Sequence, residues 1–112
     1  MKNNEIVESK APEHVTLRPS ADVEETPVGV EITFEMPGVK NRDITVEAGN
    51  GMLKIEGKSA LQRHGMPVLF KRSFYISDTV DVDKIKACAK DGVVTLSLPK
   101  AEHALPRKIT VS

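Results

Sequence analysis

The chain has no tryptophan, one tyrosine, three phenylalanines and one cysteine in 112 residues, and 16 lysines and arginines balance its 16 acidic side chains. Each shortage excludes something. So few aromatic rings offer no platform on which successive nucleobases could stack. Balanced charge gives no basic field to draw in a polyanion or an acidic membrane surface. A lone thiol, Cys88, cannot build a disulfide framework, which points to a reducing compartment, the cytoplasm. No stretch stays apolar for the roughly 20 residues of a membrane span, and residues 1–15 hold no apolar run of the signal-peptide kind. Nucleic acid and membrane are therefore not expected among the partners.

What is present first suggests a nucleotide. Residues 49–59, GNGMLKIEGKS, close on Gly-Lys-Ser like a phosphate-binding loop. The spacing argues against one. Five residues separate Gly51 from Gly57, whereas a phosphate cradle needs four so that successive N–H groups wrap the anion. Leu53 and Ile55 also alternate with Lys54 and Glu56, the period of a half-buried strand. No long helix can follow, because Gly65 and Pro67 come too soon. A Gly-Asn-Gly turn feeding a strand accounts for the segment, and no cofactor is expected.

Residues 1–18 are polar, charged and without sustained period, as a flexible arm would be, with Ile6, Val7, Val15 and Leu17 as apolar handles. From Pro19 on, short alternating runs follow one another. Ala21 and Val23 mark a first strand, and Val28, Val30, Ile32, Phe34 and Met36 a second, stopped by Pro37-Gly38. Ile44 to Val46 and residues 52–57 come next, then a loop over 58–69. A strand over 70–76 puts Phe70, Phe74 and Ile76 on one side. Residues 85–89 fit either a helical turn or a strand. Asp91-Gly92 marks a hairpin, after which Val94, Leu96 and Leu98 alternate up to Pro99. About seven short strands without a long helical period predict an all-β fold, an immunoglobulin-like antiparallel β-sandwich over 19–100, with a C-terminal tail over 101–112.

Little here suggests catalysis or metal binding. Cys88 has no histidine nearby in sequence and reads as a buried or half-exposed structural thiol. His14, His64 and His103 stand singly, without ligand spacing. Glu24 and Glu25, as strand neighbours, point to opposite faces. The tail is more distinctive. Ile109 and Val111 place two β-branched side chains on one face after the polar, proline-bounded stretch between Pro99 and Pro106. A last strand of the domain itself would explain them. So would strand addition to a neighbouring subunit, which the tether-like stretch favours.

Several segments together resemble the small heat-shock proteins: EMPGVKNRDITVEAGNGMLKIEGK, FKRSFYI, ACAKDGVVTLSLPKAE and the closing RKITV. The resemblance covers the α-crystallin domain over about 19–100 and the family's C-terminal Ile-x-Ile/Val motif. It implies the sandwich fold and ATP-independent holding of partly unfolded proteins, with unfolded clients and other copies of the chain as partners. It implies Ile109 and Val111 as tail anchors, seated in a groove lined by Ile44, Val46, Ile85 and Ala87 with Val94 and Leu96 behind. Arg72 matches the arginine that the family uses near its dimer contact. Against the family pattern, the 58–69 segment is short for a strand-swapped loop and the arm has no aromatics. A small or dynamic oligomer is therefore expected. A sandwich adaptor that docks one specific partner, without general holding activity, is the alternative.

Overall fold

A computed structural model describes residues 14–105. Two four-stranded sheets pack face to face. The first has the order β1-β6-β5-β4, from Val15–Leu17, Met66–Tyr75, Met52–Arg63 and Val39–Gly49; the second has the order β2-β3-β8-β7, from Ser20–Thr26, Gly29–Glu35, Val93–Pro99 and Lys86–Lys90. All pairings are antiparallel except that of β1 with β6. The sandwich is the expected fold.

The alternation read from sequence sets the core. Ile32 and Phe34 of β3, Leu53 and Ile55 of β5, and Val94, Leu96 and Leu98 of β8 are all buried, with Met36, Val68 and Phe70 completing one cluster. Phe34 meets Phe74 at 5.7 Å between ring centroids in a tilted arrangement, which suits the ring quadrupoles. The register aligns these side chains: Ile32 faces Leu96 and Phe34 faces Val94 across β3 and β8.

Gly57-Lys58-Ser59, the apparent phosphate loop, lies within β5. Gly57 serves packing, since a Cβ there would overlap the Met36 methyl. Ser59 is buried, and its hydroxyl donates to the Pro37 carbonyl at 2.7 Å and accepts from Leu61 N–H at 3.0 Å. Both groups are committed to the sheet, so nothing is left to wrap a phosphate.

Four details differ from the sequence reading. Residues 58–69 are not a loop: β5 and β6 continue as a hairpin to a two-residue turn at His64-Gly65, with φ of 54° and 75°. Those angles match the turns at Asn50-Gly51 and Asp91-Gly92 and give the twist that tight hairpins require. Periodicity missed this extension because residues 60–63 are all exposed and the register shifts between Lys58 and Gln62. Backbone pairing alone carries it. Second, Val15–Leu17, assigned to the arm, forms β1 alongside Val68, Leu69 and Phe70; three residues are too few for a period to show. Third, of the two alternatives for residues 85–89 the strand holds, as β7, and a 3-10 turn not read from sequence precedes it at Val82–Lys84, capped by Asp81. Fourth, Cys88 is exposed, because it lies on the outer face of an edge strand.

The junction of domain and tail is held in place: Lys100 N–H donates to the Val28 carbonyl and Ala101 N–H to the Thr79 carbonyl. Ile109 and Val111 lie outside the described residues.

Leu96→Ala, at a position with no exposure, is expected to lower unfolding stability by about 2–5 kcal/mol. Val28→Ala, 63 % exposed, should stay within about 0.5 kcal/mol. Urea denaturation followed by circular dichroism checks both.

Candidate functional site

β4 ends one sheet and β7 ends the other, on the same side of the sandwich, and the two strands approach each other there. Each is paired on one side only. Between them runs a groove. One part, about 280 Å³, is lined by Asn41, Ile44, Val46, Ala87, Ala89 and Val94. The next, about 210 Å³, is lined by Val46, Ala48, Val82, Ile85 and Ala87. Val46 and Ala87 belong to both parts, which makes them one channel along the strand direction.

The groove exists because β7 turns small side chains inward. Ala87 stands opposite Leu96 and Ala89 opposite Val94 in the β7–β8 register. Where a larger residue would close the layer, alanine leaves space above the core. On the other wall, Ile44 and Val46 are half-buried and pack against the core cluster. The chemistry is apolar walls with a strand edge on either side, a combination that can take an extended segment through backbone hydrogen bonds and alternate apolar anchors.

Ile44, Val46, Ile85 and Ala87 line the groove; Val94, expected behind them, also lines it, and Leu96 is fully buried behind Ala87. Asn41, Ala48, Val82 and Ala89 were not anticipated. Ala89 was within reach, being two positions beyond Ala87 on the same face. Asn41 was not, because the β4 register shifts between Val39 and Ile44.

Arg72 lies on β6, and its Nη1 donates to the Pro19 carbonyl at 2.9 Å. Its guanidinium carbon sits 4.8 Å from the centre of the Phe74 ring, within cation–π range. Its Nε is buried and has no hydrogen-bond partner among the described residues. The arginine thus ties the corner where the chain crosses from β1 to β2.

A wider depression, about 410 Å³, opens on the opposite side of the sandwich, with Val23, Val30, Phe74 and Ile76 among its walls. It is larger than either part of the groove. The groove fits an extended segment better, because it runs between two strand edges. Among the described residues no three His, Cys, Asp or Glu side chains gather as a metal site would require, and no helix is long and apolar enough to cross a membrane.

Residues 22–112 match the model of the Hsp20/alpha crystallin family. Heat shock protein 16 of Schizosaccharomyces pombe is 32 % identical over 104 residues, covering 82 % of this chain and 73 % of that protein. The solved structure of heat shock protein 16.0 from S. pombe superposes with a TM-score of 0.68 at 30 % identity, covering 86 % of this chain and 98 % of the other. A small heat-shock protein from Xylella fastidiosa, whose structure is described as having a distinct high order, gives a TM-score of 0.65 at 28 % identity over 84 % and 95 % of the two chains.

Arg72→Ala should lower stability by about 1–3 kcal/mol in urea, since it leaves the Pro19 carbonyl without its donor and uncovers Phe74. Arg72→Lys should recover only part of the loss. The exposed Cys88 thiol should react fully with a disulfide reagent in the native protein, with no further thiol released by denaturant.

Proposed function

The chain belongs to the Hsp20/alpha crystallin family, and from that membership we propose that it is an ATP-independent holdase of the cytoplasm, binding partly unfolded proteins under stress and keeping them from aggregating. Its relatives are small heat-shock proteins, a family of chaperones rather than enzymes, and a chaperone role in stress follows. The observation that carries the finer reading is the apolar groove between two strand edges.

The physics needs no fuel. Heating exposes apolar surface on a client, and contact with a second apolar surface removes that surface from water before two clients meet. By mass action, every captured client leaves the aggregating pool. The groove supplies surface, and its edges supply backbone donors and acceptors that any extended segment can use. Such binding is indifferent to client sequence, as a general holdase requires.

At rest the groove is taken by the tail of a neighbouring copy. Ile109 and Val111, two residues apart, present their side chains on one face of an extended segment, as Ile44 and Val46 do across the groove. Each anchor contributes about 1.5–3 kcal/mol on burial, less the cost of ordering the tail. A contact of that size opens on warming and frees the groove when clients appear. Arg72 serves a dimer contact, held at the β1–β2 corner by its bond to the Pro19 carbonyl.

Light scattering from two unrelated heat-labile proteins, warmed with this chain and no ATP, tests the reading. Suppression of both near equal subunit ratios is the expected result. Ala87→Glu, which puts a charge in the groove, should weaken suppression several-fold with the fold intact, and Ile109→Ala with Val111→Ala should shift the protein to smaller assemblies. If the folded chain suppresses neither client, general holding is wrong and a sandwich adaptor for one partner takes its place.

A further inference from the structure

The outer face of the second sheet divides by charge. Register and alternation place Ser20, Asp22 and Glu24 of β2 outward, beside Glu35, Thr33 and Glu31 of β3. Next come Val93, Thr95 and Ser97 of β8, and then Lys90, Cys88 and Lys86 of β7. Three rows cross the sheet: Glu24–Glu31–Ser97–Lys86, Asp22–Thr33–Thr95–Cys88 and Ser20–Glu35–Val93–Lys90. The β2–β3 half carries four carboxylates, the middle is hydroxyl-rich, and the β7 edge carries two ammonium groups.

Two features of this face are unfavourable in an isolated chain. Glu24 stands directly opposite Glu31, and like charges in that position repel. Among the described residues the ion pairs are Lys71–Glu56 and Lys84–Asp81, so neither glutamate has a cation, and neither Lys86 nor Lys90 has an anion. Val93 is 41 % exposed between Glu35 and Lys90. Unbalanced halves of opposite sign on an exposed sheet face are what a complementary surface would match.

We propose that this face docks a second copy of the same chain, sheet against sheet, about a two-fold axis parallel to the strands. That operation lays β2 of each copy over β7 of the other, and β3 over β8. Each row then meets its own reverse, with Glu24 over Lys86 of the partner subunit and Asp22 over Cys88 of the partner subunit. The contact is isologous, so the same charges are satisfied twice. It leaves the inward-opening groove between β4 and β7 clear, and so is distinct from the tail and dimer contacts above. Four strands at about 4.8 Å spacing and seven residues of length give a face of roughly 400 Å² per copy, about 800 Å² in total and below the range of stable specific interfaces. The association is therefore weak, reversible and sensitive to salt.

Zero-length carbodiimide coupling of the full chain at low ionic strength, followed by peptide mapping, tests it directly. Glu24 and Lys86 are three strands apart within one chain, roughly 14 Å, too far for direct coupling, so a Glu24–Lys86 link joins two copies. That link is expected, and 0.5 M salt (on the order of a fivefold rise in ionic strength) should reduce it several-fold. Asp22→Cys should likewise form an interchain disulfide with Cys88 on mild oxidation, lost on adding Lys86→Glu and Lys90→Glu, with circular dichroism confirming the fold. Absence of both links in folded protein overturns the proposal. So does coupling of Glu24 or Glu31 to Lys108 instead, which would assign the acidic half to the tail.

Discussion

Ten buried apolar side chains form a single layer between the two sheets, and the way that layer ends shapes the rest of the molecule. Ile32, Phe34, Leu96 and Leu98 rise from one sheet to meet Leu53, Ile55, Val68 and Phe70 of the other. In a chain of 112 residues such a layer cannot extend far, because a small domain has little apolar surface to spare. On one side Arg72 and the β1–β2 corner bound it, beside the wider depression around Val23, Phe74 and Ile76. On the other it thins to Ala87 and Ala89 beneath two strand edges, and the groove follows. A fully packed edge would make a more stable sandwich with nothing to offer a partner.

Strands that bury one face were legible in the sequence. Val30, Ile32 and Phe34 on β3, and Val94, Leu96 and Leu98 on β8, announce themselves by period because burial selects every second residue. Where pairing rests on the backbone alone the signal disappears. The outer hairpin beyond Ser59 has no buried side chain until Val68, and its tip is set by a His64-Gly65 turn that lacks the asparagine or aspartate of the other two. The exposure of Cys88 was hidden for a related reason: its neighbours are alanines, and alanine does not declare which face is inward.

The groove was legible in another way. Ile44, Val46, Ile85 and Ala87 came from likeness to a family, and the described geometry brings them to one channel. Its irregular parts, Asn41 above all, depend on a register shift that no sequence pattern marks. The Gly-Lys-Ser motif shows the converse. Gly57 and Ser59 imitate a nucleotide loop only in their letters; one makes room for Met36 and the other ties β5 to the Pro37 carbonyl.

Hydrogen exchange of the full chain, warmed with and without a heat-labile client, tests most directly whether this groove is the working surface. Protection should rise on client binding at residues 44–48 and 85–89, the two walls, with little change along β2 and β3. Unchanged exchange at both walls, with new protection at Val23, Phe74 and Ile76 around the opposite depression, would move client binding to the other side of the sandwich and contradict the account.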